Sequence, residues 1–156
     1  MEDKADEPAA KNASLAVINL SGDPDLAKSL LQKKDLKLVQ RLWGCVQDKD
    51  CYVADPCCAV LSNLTIDKVC CDLVSDALQE AKISLDQIIF VFCQEGYNSK
   101  GAKLHYLGPV LSNLSQLASI RAQILNCSGC VIQRLLPFTE FKQSNIRRGG
   151  IIGTLR

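Results

Sequence analysis

Histidine, methionine and tryptophan occur once each in this chain, and aromatic residues make up only 5% of it. A single histidine, His105, cannot supply the ligand-spaced pair of a histidine-based metal site. It also has no carboxylate, serine or cysteine at a readable spacing, so no acid–base or nucleophilic machinery is visible. No apolar run approaches the roughly 18 residues needed to cross a bilayer. The N-terminal stretch Met1–Lys11 is acidic and has no apolar core, which excludes a secretory signal there. A charge surplus is missing as well: 18 Lys+Arg stand against 17 Asp+Glu, a net charge of +1. That balance excludes a protein that works mainly by coating phosphates with basic surface. No G-x-G-x-x-G pattern follows a strand, so Gly149-Gly150 reads as a close helix contact rather than a phosphate loop.

Cysteine is plentiful by contrast. Nine cysteines, an odd count in a 156-residue chain without a signal, argue for reduced thiols in a cytoplasmic or nuclear protein rather than a disulfide scaffold. Cys45, Cys57-Cys58 and Cys70-Cys71 stand among apolar neighbours, where free cysteine packs as a small hydrophobe. Cys127-Ser128-Gly129-Cys130 is a C-x-x-C, but no second pair completes four zinc ligands and the segment before it reads as helix. It is taken as a turn between two helices, with a thiol or zinc site as the alternative.

Four stretches resemble one another: Ala16–Ser21, Val60–Thr65, Val110–Ser115 and, more weakly, Ile151–Arg156. Their leucines Leu20, Leu64, Leu114 and Leu155 recur at spacings of 44, 50 and 41 residues, close to the period of helical armadillo or HEAT arrays. Within the copies apolar residues fall at i, i+3, i+4 and i+7: Ala13, Ala16, Val17, Leu20; Cys57, Val60, Leu61, Leu64; Leu107, Val110, Leu111, Leu114. That is one face of an α-helix. Further helical stripes run through Leu36, Val39, Trp43 and Val46, through Leu85, Ile88, Ile89 and Phe92, and through Val131, Leu135 and Phe138. Shorter helices at Asp25–Gln32, Lys68–Ala81 and Leu117–Leu125 complete each unit. Asp23-Pro24 and Asp55-Pro56 read as a capping carboxylate followed by proline at the first helical position, and Ser84 with Gln87 as a capping box. Pro109 predicts a kink or break near Tyr106–Pro109. The fold expected is all-α: an armadillo/HEAT-like right-handed α-solenoid of about three three-helix repeats. Residues 1–11 are expected to be a disordered acidic tail and residues 12–156 the repeat domain.

From Tyr97 onward a more specific likeness emerges. Tyr97-Asn98, Leu104–Gln116, Cys130–Phe138 and Ile146–Arg156 together resemble the brain protein 16-like armadillo-type family. The resemblance extends over residues 13–156 and is strongest from Tyr97 to Arg156. It implies a non-catalytic, cytoplasmic or nuclear cochaperone that assists folding of translation elongation factor 2 together with the cytosolic chaperonin, with no cofactor, nucleic acid or membrane. A generic armadillo adaptor for another client is the alternative. The family's chains are longer, so the repeat domain is expected to be incomplete at the C-terminus and to expose the apolar face Ile151-Ile152-Leu155.

Armadillo architecture also implies where a partner binds. Asn19, Asn63 and Asn113 match the asparagine that lines the concave groove in such arrays, with Thr154 in the amide's place in the last copy. Two readings stand for them: contact with the backbone of an extended partner, or hydrogen bonds to the neighbouring repeat. Tyr97, Asn98 and His105, in the long connection before the third Asn-Leu helix, are further groove candidates. Arg147-Arg148, with Lys142 nearby, form a basic cluster suited to an acidic partner segment or to a structural role.

Overall fold

The computed structural model describes residues 6–33, 37–126 and 129–156. Among these residues it contains ten α-helices and no strand. A first triplet is α1 (Asp6–Ser21), α2 (Pro24–Gln32) and α3 (Leu38–Gln47). A second is α4 (Ala54–Leu64), α5 (Lys68–Glu80) and α6 (Leu85–Cys93). The third is α7 (Leu107–Leu114), α8 (Ala118–Leu125) and α9 (Val131–Leu135), the last running into a 3-10 turn at Leu136–Glu140. Helix α10 (Asn145–Leu155) follows. None of these helices is long and apolar enough to cross a membrane.

Each Asn-Leu stretch lies at the end of its helix, and these helices pack in succession: α1 on α4, α4 on α7, α7 on α10. Helices α2 and α5 pack likewise, as do α6 and α9. The seams enclose one continuous core. Leu64, Ile89, Phe92, Leu107, Leu111, Leu114, Leu135 and Ile151 are fully buried in it. The stripes expected for α4, α6 and α7 are those that face inward, and Trp43 is buried. Leu36, which the sequence puts on one stripe with Val39, Trp43 and Val46, lies outside the described residues, and α3 begins at Leu38.

Several expectations need correction. Helix α1 starts at Asp6, inside the stretch assigned to a disordered tail; Met1–Ala5 lie outside the described residues. Its inner face is Val17, Ile18 and Ser21, while Ala13, Ala16 and Leu20 are exposed. The cause is its packing, chiefly on α4 and α2, which covers one side only. Of the kink or break expected near Tyr106–Pro109, the structure has the break: α7 starts at Leu107 and the proline sits in the first turn, where no N–H is needed. The apolar end face is smaller than expected: Ile151 is buried against α7, leaving Ile152 exposed and Leu155 half-buried.

Side-chain caps set the starts of α2, α5, α6 and α10. Asp23 caps α2 by accepting from Asp25 N and Leu26 N, each at 3.0 Å. Ser84 and Gln87 form the reciprocal capping box of α6. Asp55 departs from its expected capping role, because α4 begins at Ala54, two residues before the expected Pro56. Its carboxylate instead accepts Lys103 N at 3.0 Å and Leu104 N at 2.6 Å. Leu104 has a left-handed backbone, φ 54°, which helps turn these successive N–H groups toward one acceptor.

Candidate functional site

The repeated Asn-Leu-Ser/Thr triplets form a row of hydrogen bonds between helices. Ser21 Oγ donates back to Ile18 O at 2.8 Å, and Asn63 Nδ2 donates to that same carbonyl at 3.0 Å and to Ser21 Oγ at 3.1 Å. One triplet on, Thr65 Oγ1 donates to Ser62 O at 2.9 Å, while Asn113 Nδ2 meets Ser62 O and Thr65 Oγ1, both at 3.1 Å. Gln116 Nε2 adds Thr65 O at 3.3 Å. Two hydrogens sit on each amide nitrogen and two acceptors receive them, so the remaining capacity of Asn63 and Asn113 is their carbonyl oxygen. The row stops at α10, where Thr154 Oγ1 turns to Gly150 O of its own helix at 2.9 Å. Asn19 stands at the other end with its side chain exposed.

The amides of Asn63 and Asn113 are therefore spent on the neighbouring triplet. Asn113→Ala is expected to lower unfolding free energy by about 1–3 kcal/mol, because it strips donors from a part-buried carbonyl and hydroxyl. Asn19→Ala should change it by less than about 0.5 kcal/mol, as an exposed substitution does. Urea denaturation of the two variants measures the difference.

Tyr97 and Asn98 lie in a second place, where the connection 94–106 docks on the turn between α3 and α4. Tyr97 Oη donates to Gln47 O at 2.6 Å, with Lys49 Nζ 5.3 Å from its ring centroid. Asn98 is buried; its Nδ2 donates to Cys51 O at 2.8 Å and its Oδ1 accepts Lys100 N at 2.9 Å and Ala102 N at 3.2 Å. Ser99 N donates to Lys49 O at 2.7 Å, and Ser99 Oγ donates to the Asp50 carboxylate. Burial, then the Asp48 charge, holds the Tyr97 phenol above its ordinary value.

His105 and Arg147 come together in a third place. Arg147, read from sequence as suited to an acidic partner segment or to a structural role, is only 2% exposed. Its guanidinium carbon lies 4.2 Å from the ring centroid of Phe92, 4.7 Å from that of Phe138 and 5.1 Å from that of Phe141. Its Nη2 donates to Phe92 O and its Nη1 to Lys103 O at 3.4 Å. Burial pulls the arginine below its usual range, a nearby Glu95 opposing it. Arg148 is half-buried and holds Asn145 Oδ1 at 2.8 Å and Phe141 O at 3.3 Å. Gly150 is where α10 touches α7: a Cβ there would stand 2.2 Å from the Gly108 carbonyl carbon.

The cysteines divide by burial. Cys57, Cys58, Cys70 and Cys71 are buried, and burial raises their thiols, Cys71 to about 11. Raised thiols are poor nucleophiles and pack as apolar groups. Cys127 and Ser128 of the C-x-x-C lie outside the described residues, and Cys130 is exposed before α9. Among the described residues no group of three His, Cys, Asp or Glu side chains is placed to hold a metal.

The ladder had a sequence signal: Asn19, Asn63 and Asn113 head three N-x-S/T sequons, and its two rungs join the amide of one sequon to the hydroxyl of the one before, Asn63 to Ser21 and Asn113 to Thr65. The phenylalanine cage had none, since Phe92 is far in sequence from Phe138 and Phe141.

Comparison with known proteins places residues 45–156 in a family described as a domain of unknown function, DUF383. A Danio rerio protein named Protein HGH1 homolog is 46% identical over 146 residues, covering 94% of this chain and 38% of the relative. The Homo sapiens protein of that name is 41% identical over 150 residues, with 94% and 38% covered. The Drosophila melanogaster one is 34% identical over 157 residues, with 97% and 42% covered. The chain thus spans about two fifths of the length of these curated relatives. No solved structure matches it.

Proposed function

This chain belongs to the DUF383 family, and we propose that it works as a non-catalytic, protein-binding scaffold: an armadillo-like solenoid whose Asn-Leu helices line a groove. The observation that carries the reading is the recurrent coupling of Asn63 and Asn113 to the preceding triplet, across 45 and 51 residues of sequence. Units that join only to their neighbours build an extended, curved surface, and the apolar stripe that each cannot bury alone is buried at the seams between them. With the amide hydrogens engaged, Asn63 and Asn113 offer a partner acceptors, which suits the N–H groups of an extended polypeptide. The client is elongation factor 2, received in the cytosol together with the chaperonin, as the resemblance through Tyr97–Arg156 implies. The relatives bear the name HGH1 rather than the brain protein 16-like label, so the client rests on that resemblance. Covering exposed apolar segments of a partly folded client would lower its misfolding.

Co-purification from eukaryotic cytosol, with a full-length relative in parallel, tests this. Recovery of elongation factor 2 with the full-length protein, weaker with this chain, is the expected result. Capture of other clients without elongation factor 2 or chaperonin subunits would leave an adaptor. Stoichiometric zinc, lost in Cys127→Ser, would replace the scaffold reading with a thiol–metal one.

A further inference from the structure

Two buried polar atoms lacking hydrogen bonds among the described residues, His105 Nδ1 and Arg147 Nε, belong to neighbouring side chains at the joint between α10 and the 94–106 connection. The His105 ring centroid is 6.3 Å from that of Phe141, one wall of the arginine's cage. A neutral imidazole can leave Nδ1 as a bare acceptor there at modest cost. A protonated one must place an N–H in that position, beside a guanidinium that is held by carbonyls and rings rather than by a carboxylate.

The charges around the pair decide how protonation is received. Asp55 reaches His105 from α4, Lys103 from its own connection and Arg147 from α10, while Glu95 and Cys93 face Arg147 from the end of α6. Asp55, whose oxygens accept the N–H groups of Lys103 and Leu104, favours an imidazolium, but burial and the Arg147 and Lys103 charges outweigh it. Burial first, then Arg147, holds His105 below its ordinary 6.5.

We propose that His105 is an acid-operated release for α10. Protonation drives the ring out from beside Arg147, the connection 103–106 leaves with it, and the Lys103 carbonyl is withdrawn from the guanidinium. The Arg147 contact that ties α10 to Phe92, Phe138 and Phe141 then loosens. Because the folded chain binds this proton less tightly than the unfolded chain, the stabilisation is complete above about pH 6.5 and is lost as pH falls below it. This is independent of the client, so failure of one reading leaves the other standing.

The chain's single histidine makes the test clean. Hydrogen exchange, corrected for intrinsic rates, is compared at about pH 7.5 and pH 5.5, on either side of the imidazole range. The expected result is a loss of protection of about threefold to tenfold in α10 and the 94–106 connection, with α4 and α5 unchanged; one pH unit below the unfolded value, linkage to a single proton supplies at most about tenfold. His105→Gln should abolish the pH dependence. The proposal is overturned by equal protection at both pH values, by a uniform loss over all helices, or by the same dependence in His105→Gln. Should that variant not fold, imidazole NMR of the wild type decides: a midpoint below 6.5 supports the release, and one at or above 6.5 overturns it.

Discussion

Gly150→Ala is expected to separate α10 from α7 and lower stability by at least about 3 kcal/mol, beyond ordinary overpacking. The added methyl would stand 2.2 Å from the Gly108 carbonyl carbon and 2.5 Å from Pro109 N. Both are backbone atoms, so no side chain can turn aside and a helix must move. Neighbouring glycines supply the controls. Gly153→Ala meets Ser112 Oγ at 2.3 Å, a side-chain atom that can rotate away, and should cost less. Gly149→Ala meets nothing within 4 Å and should stabilise by up to about 1 kcal/mol through helix propensity. Thermal unfolding of the three variants should rank Gly149→Ala above wild type, then Gly153→Ala, with Gly150→Ala lowest.

Arg147→Ala should cost about 3–5 kcal/mol, lowering the unfolding midpoint by about 10 °C in a chain of this size. It removes the donors to Phe92 O and Lys103 O and leaves a hole among Phe92, Phe138 and Phe141. Arg147→Met refills the hole without the donors and should recover part of the loss. Arg147→Lys keeps the charge but has no planar fork to serve two carbonyls and lie over three rings, so it should fall nearer to alanine. If lysine were as stable as arginine, charge alone would suffice and the cage would be incidental. Calorimetric scans of the three variants settle the order.

What the sequence disclosed followed from how local each cause is. The stripes of α4, α6 and α7 were legible because a helix with neighbours on two sides buries the face its period marks. Helix α1 carries the same period, yet Ala13, Ala16 and Leu20 are exposed; which apolar positions are covered depends on the packing partner. Asp23 and Asp55 make the same point. Both precede proline, and Asp23 caps its helix as the dipeptide suggests, whereas Asp55 serves a backbone 48 residues downstream. Local grammar cannot register that demand. The sequence left Arg147 open between a partner site and a structural role because the rings that enclose it come from α6 and from around the 3-10 turn. The asparagines were found by repetition, but their direction was open: an amide suits a partner's backbone and a neighbouring triplet equally well, and only the placement of Ser21 and Thr65 decides.

The side-chain amide protons of Asn63 and Asn113 test the central idea most directly, that the repeated residue holds the stack together from inside. In a sample labelled with nitrogen-15 at asparagine, those two amide groups should exchange with water far more slowly than that of exposed Asn19 and should stay slow when a client is added. Exchange of Asn63 and Asn113 as fast as that of Asn19 would contradict the account, and the ladder would then not exist in solution.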